Sequence, residues 1–232
     1  MVNAMGSRPL ALLLGGSITL CVIGPGCIPD PEGDFKSYTD HTAQFRVQPQ
    51  GDGGGVDSAP PTVAEEGLYF GACLSKLAAG RLDRVLRFYT ETKFTPDASG
   101  GTGKLTLKVT SMKLAPGNAA PPTVSKDQTI GATYTVTDSP TTVTGVYAAA
   151  LGTINVPGAA NPISGRDIVV EQTALPGKFG KGKFCSQLIG HVTTPTDIQL
   201  EGDANTCIYI QVKEGDATPV LKPDDFPSTC SL

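Results

Sequence analysis

Alternation of apolar and polar side chains is the dominant pattern of this chain. Leu105, Leu107 and Val109 alternate with Lys104, Thr106, Lys108 and Thr110. Such a period of two marks a strand with one face in a core and one in water. The same period recurs at Cys207–Val212: Ile208, Ile210 and Val212 point one way, Cys207, Tyr209 and Gln211 the other. Shorter runs predict strands at Gly67–Cys73, Gly131–Val136, Thr142–Ala148, Arg166–Glu171 and Phe184–Val192. Turn signals punctuate them at Asp138-Ser139-Pro140, Pro157-Gly158, Pro176-Gly177 and Gly202-Asp203. The stretch Leu74–Phe88 is ambiguous. Leu74, Leu77, Ala78, Leu82, Val85 and Leu86 fit helical spacing, but Gly80 interrupts it. Its neighbours favour two strands joined by a turn over Gly80–Asp83. Ala115–Lys126, with Pro116-Gly117 and Pro121-Pro122, reads as a long loop. Residues 64–232 are therefore expected to form an all-β domain, an antiparallel β-sandwich with barrel-like closure as the alternative.

The first 63 residues follow no such pattern. Pro9–Ile23 is an apolar run preceded by Arg8, the single charged residue of the first 26. At about 15 residues it is short of the roughly 20 that span a membrane as a helix. Small residues, Gly24-Pro25-Gly26, lead into Cys27. Residues 8–27 resemble a bacterial lipoprotein signal peptide, although Gly24 stands where such signals usually carry Leu. The resemblance implies removal of residues 1–26, a lipid on the Cys27 thiol and an acylated new amino terminus. It implies an exported protein anchored to the cell envelope, with the outer membrane as the expected site. Residues 27–63 then read as a tether. Pro29, Pro31, Pro49, Pro60 and Pro61 and the run Gly53-Gly54-Gly55 suit a disordered spacer. Phe35, Tyr38 and Phe45, with Asp34 as N-cap, allow a short amphipathic helix over 35–46.

Cysteine count fits the lipid. Of six cysteines, the cut removes Cys21 and leaves Cys27, Cys73, Cys185, Cys207 and Cys230. Lipid on Cys27 leaves four, enough for two disulfides in an oxidising compartment. Three connectivities are open, and the reading leans to Cys185 with Cys207 and Cys73 with Cys230.

Charge and composition narrow the partners. Without residues 1–26 the chain keeps 17 Lys and Arg against 22 Asp and Glu, a net charge of −5. Nucleic-acid binding needs a basic footprint, which is missing. Trp is absent, which weakens a sugar-platform reading. No cofactor motif occurs. Gly100-Gly101-Thr102-Gly103-Lys104 lacks the spacing of a phosphate loop and reads as a hairpin turn.

Four places could carry chemistry. His191 is the one histidine of the body, and a hydrolase would need it as base with Asp197 and Ser186 or Ser164; no Gly-x-Ser-x-Gly elbow supports this. Asp197, Glu201, Asp203 and Asn205 are weak calcium candidates that equally suit a turn. Lys178, Lys181 and Lys183 surround two glycines and form a basic loop. The stretch Val156–Asp167 is the most distinctive: prolines and glycines fix its path, and Asn161, Ser164 and Arg166 make it a candidate binding loop. This stretch, the segment Leu68–Cys73 and the placing of Phe184-Cys185, Thr206-Cys207 and Cys230 are similar to uncharacterised lipoproteins of social and predatory Gram-negative soil bacteria. That resemblance implies no activity. The expected role is non-enzymatic: a binding or structural module that meets an envelope protein or polysaccharide. An envelope or extracellular hydrolase using His191, or a carrier of an apolar ligand, are the alternatives.

Overall fold

The computed structural model describes residues 64–98, 102–201, 205–227 and 230. Residues 1–63, with the expected export signal, Cys27, the tether and its helix over 35–46, lie outside the described residues.

Twelve strands follow in chain order: β1 (Glu65–Leu74), β2 (Leu86–Pro96), β3 (Gly103–Met112), β4 (Thr123–Val124), β5 (Thr129–Thr141), β6 (Val146–Val156), β7 (Ile168–Lys178), β8 (Lys183–Gln187), β9 (Ile189–Thr194), β10 (Ile198–Leu200), β11 (Thr206–Val212) and β12 (Asp216–Ala217). The helical pieces among the described residues are single 3-10 turns, and none is long and apolar enough to cross a membrane. The all-β antiparallel expectation holds, and of the two architectures considered the closed barrel is the one formed. Its walls run β7-β6-β5-β3-β2-β1-β11-β8, and β8 returns to β7 through the pairs Gly177↔Ser186 and Lys178↔Cys185. Every pairing is antiparallel. β9 continues β8 past a break at Leu188, and β10 pairs with β9 ahead of β11, so two bent strands complete an eight-stranded up-and-down barrel. Closure pairs β7 with β8, and β10 is the strand left at an edge, paired with β9 alone among the described residues.

Strand alternation decides what fills the barrel. Tyr69 and Cys73 on β1, Leu86, Phe88 and Phe94 on β2, and Leu105, Leu107 and Val109 on β3 point inward and are buried. An eight-stranded barrel is just wide enough for side chains to fill. Here aromatic rings fill one half: Phe184 stacks on Tyr209 with centroids 4.2 Å apart, and Tyr69 and Phe179 meet its edge at 4.9 Å and 5.1 Å. Gly71 makes room for this cluster, since a Cβ there would lie 3.2 Å from the Tyr209 ring. The other half retains two voids of about 20 Å³ each, room for about one water apiece.

A second core lies on the outer face of the same wall. Phe70 and Ala72 of β1, Tyr89 of β2, Met112 of β3 and Ile208 of β11 are buried there with Val85 and Val124. The chain beyond β11 covers them as a strap. β12 pairs with β4, Tyr89 donates to Glu214 at 2.7 Å, and Thr206 donates to the Pro227 carbonyl at 3.1 Å. Cys230 then closes the strap onto Cys185.

Several sequence expectations need correction. The disulfides are Cys73–Cys207 and Cys185–Cys230, not Cys185–Cys207 and Cys73–Cys230. The four cysteines are those expected; the pairing fails on strand period. Cys207 stands opposite Ser186 and faces inward, while Cys185 stands opposite Ile208 and faces out, so their side chains lie on opposite sides of the wall. Pro176-Gly177 is no turn; both lie inside β7, where it changes partner from β9 to β8. Proline has no N–H to lose from the ladder, which suits it to that hand-over. Asp138-Ser139-Pro140 lies inside β5, with Asp138 at φ +55° beside a register shift, a bulge rather than a turn. Leu74–Phe88 holds the end of β1, two 3-10 turns and the start of β2.

Candidate functional site

The hydrolase constellation does not assemble. His191 sits on β9, opposite Gln199 and Glu171, and its Nε2 pairs with Asp197. Ser186 lies on the inner face of the wall, fully buried, with its hydroxyl 3.2 Å from the Tyr209 hydroxyl. Two-residue periodicity puts the odd-numbered His191 outside. Ser164 is bound within its own loop, accepting from the Asn161 amide at 2.7 Å.

That loop, the candidate binding segment, is organised around Asn161. Its side chain is fully buried and spent: the amide also donates to the Arg166 carbonyl at 2.7 Å, and the oxygen accepts from Ile163 N–H at 3.0 Å. Ala160 packs into the barrel core and Ile163 lines an interior void, so the segment plugs one end of the barrel. Ser164, Arg166 and Asp167 stay exposed on its outside.

The remaining candidates disperse in the same way. Asp197 is taken by His191, Asn205 is buried and binds Ser75 and Lys76 at 3.0 Å, and Glu201 contributes its backbone carbonyl to Asn205. Asp203 lies outside the described residues. Among the described residues no group of three His, Cys, Asp or Glu could hold a metal ion. In the basic loop, Lys181 pairs with Glu65 at 2.9 Å and Lys183 with Asp225 at 3.1 Å. Thr102 turns back on Asp97 in the β2–β3 hairpin, as a turn requires.

One site escaped the sequence reading. Arg87 of β2 points outward beneath the strap and is 6% exposed. It forms part of a groove of about 460 Å³ lined by Leu82 and Asp83, by Ala120, Pro121 and Pro122, and by Thr218–Leu221 of the strap. The guanidinium donates to the Val85 carbonyl at 3.1 Å and to the Leu82 carbonyl at 3.4 Å. Its Nε–H is buried without an acceptor. Asp83 is near, but its carboxylate is held by Arg81 through two contacts of 3.1 Å and 2.6 Å. Burial lowers the pKa of Arg87, and the charge of Asp83 partly offsets this. Three of the six arginines of the chain fall at 81, 84 and 87. In an acidic chain that cluster was the legible signal; its coverage by a strap from residues 218–221 was not.

No protein-family model matches the chain, and no curated protein or solved structure matches it either.

Proposed function

We propose that this is an exported, lipid-anchored protein of the cell envelope, expected in the outer membrane, whose barrel is a non-enzymatic binding or structural module for an envelope protein or polysaccharide. The observation that carries the reading is the cysteine pairing. Cys73, Cys185, Cys207 and Cys230 are all consumed in two disulfides. Two such bonds point to a chain that folds outside a reducing cytoplasm. Of the cysteines that remain after a cut before residue 27, Cys27 alone is left over, free for the thioether that the signal resembling a lipoprotein's calls for.

The module reading draws on what the barrel offers. The two voids described inside it are each about 20 Å³, the size of a single water. Ser186 and Ser164, the nucleophiles considered for His191, are bound to Tyr209 and Asn161 instead. What is left is surface and groove, the equipment of a protein that binds or supports.

Mass spectrometry of the membrane-extracted protein tests the anchor. The expected result is an amino-terminal Cys27 carrying diacylglycerol and an amide-linked acyl chain. The variant Cys27→Ser should move to the soluble fraction. An unmodified amino terminus, or a Cys27→Ser protein that stays with the membrane, would sink the proposal.

A further inference from the structure

Arg87 is a buried cation whose charge the protein itself leaves without a hydrogen-bonded carboxylate. Burying an unpaired charge is costly, and folds normally supply a partner. Here the one carboxylate in the groove, Asp83, is already committed to Arg81. The local balance of Arg81, Arg84 and Arg87 against Asp83 is positive, within a chain that is negative overall. The guanidinium has five N–H donors in a fixed planar fork. Two are spent on backbone carbonyls, and Nε–H has no acceptor among the described residues.

The surroundings give the second half of the argument. The groove opens beside Val220, which at 87% exposure is the most exposed large apolar side chain described. Its walls are Leu82, Pro121, Pro122, Pro219 and Leu221. Concave sites of about 300–1,000 Å³ with apolar walls and a few fixed polar groups are typical of small-ligand binding. Prolines at three wall positions fix the backbone there, so little order has to be gained on binding.

We propose that this groove binds an oxyanion group, a carboxylate or a phosphate, attached to an apolar body, with the anion seated on Arg87 and the body against the proline walls. The inference deepens the binding-module reading by naming a ligand class; it does not depend on the lipid at Cys27.

The test uses the full chain extracted in an uncharged detergent and labelled with 15N in its arginine side chains. Arg87 Nε–H is identified by its loss in Arg87→Lys. Three probes are titrated at constant ionic strength: sodium hexyl phosphate, sodium hexanoate and hexanol. The expected result is a saturable shift of the Arg87 resonance with an anionic probe and none with hexanol. Hexanoate ahead of hexyl phosphate identifies a carboxylate ligand, and the reverse order a phosphate. Arg87→Gln should weaken binding about 10- to 100-fold, the loss expected when a charge-assisted hydrogen-bonding group is removed. Pro219→Asp places a like charge at the groove mouth without touching the buried guanidinium and should also weaken binding; it serves if Arg87→Gln does not fold. No saturable shift with either anion, or an equal response to hexanol, overturns the proposal. So does undiminished anion binding in Pro219→Asp together with any folded Arg87→Gln. The intact mass of the same sample reads the Cys27 modification independently, so failure of the site and failure of the anchor are distinguishable.

Discussion

The barrel is held shut by two unlike regions. On one side the β1/β2/β11 wall is buried on both faces, inward against the aromatic cluster and outward under the strap. β1 runs in continuous register with both neighbours, from Leu68↔Val212 to Leu74↔Thr206 and from Glu65↔Phe94 to Cys73↔Leu86. Disulfides tie this side twice, Cys73–Cys207 between β1 and β11 and Cys185–Cys230 between the neighbouring β8 and the strap. On the other side, β5 and β6 share one registered pair, Thr141↔Tyr147. Their outer face is small and wet, with Thr133, Thr135, Ala148, Ala150 and Asn155 exposed. Side chains do part of the work of a ladder there. The Tyr134 hydroxyl accepts from Asn155 N–H at 2.6 Å and donates to the Asn155 carbonyl at 3.2 Å, and Ser139 donates to the Ala148 carbonyl at 2.9 Å. A closed barrel thus needs no uniform wall. Burial on two faces fixes one seam, and specific side-chain hydrogen bonds close the other.

The largest effect is expected on the strapped side. Replacing Cys185 and Cys230 together by Ser frees the strap from its last anchor and should cost about 2–5 kcal/mol. Urea unfolding of the oxidised parent and the double variant measures it. Because the strap covers Phe70, Val85 and Ile208, the variant should also bind a hydrophobic dye that the parent ignores. A variant as stable as the parent, with no gain in dye binding, would mean that the strap contributes nothing to the difference between the two seams.

The same contrast separates what the sequence reveals from what it hides. Where a strand has one wet face, as in β3, alternation is plain and the strand can be read from residues alone. The strapped wall has no wet face, so Tyr69-Phe70-Gly71-Ala72-Cys73 shows strand composition but not which side each residue takes. The cysteine pairing depends on that side, and the choice between Cys207 and Cys230 for Cys185 depends on a strap whose regular pieces among the described residues are the two-residue β12 and one 3-10 turn. Most of β2 went unread beyond Phe88 because Thr90 and Thr92 are buried polar residues on its inner face. Arg87 was legible as part of an arginine cluster, yet the groove around it is built from residues 120–122 and from strap residues 218–221, more than a hundred positions away, and no local pattern encodes that.

At the weaker seam, Tyr134→Phe keeps the ring and removes the hydroxyl that serves both polar groups of Asn155. Asn155 is exposed, so water can replace the phenol and the loss should be about 0.5–1.5 kcal/mol, the net worth of a hydrogen bond. Hydrogen exchange sharpens the comparison. In the parent, amides of β1 and β11 should exchange only through global unfolding, whereas those of β5 and β6 should exchange through local opening. In the parent, the Asn155 amide should therefore exchange well ahead of Ile208, and the variant should speed Ile208 only by its loss of global stability. Equal protection of Asn155 and Ile208 in the parent would make the barrel one cooperative unit and remove the distinction.

The smallest effect, and the one of opposite sign, lies at Tyr147 of β6. Its hydroxyl is buried without a hydrogen-bonding partner. Burial, reinforced by Tyr209, raises its pKa well above the ordinary 10, and the nearby Ser186 hydroxyl offsets only part of this. Tyr147→Phe removes a buried polar group that has only the Ser186 hydroxyl to interact with, so the variant should match the parent at neutral pH or exceed it by up to about 1 kcal/mol. The difference should grow in alkali. A phenol with a raised folded pKa contributes its full stability below the unfolded value near 10 and loses it as pH climbs towards the folded value, because the unfolded chain ionises first. The parent carries that loss at Tyr147 and the variant does not. Urea midpoints of the two proteins at pH 7 and at pH 11 decide it. A variant clearly less stable than the parent at pH 7 would show that the Tyr147 hydroxyl is satisfied after all, and that the β6 side of the barrel is tied more firmly than its single registered pair with β5 implies.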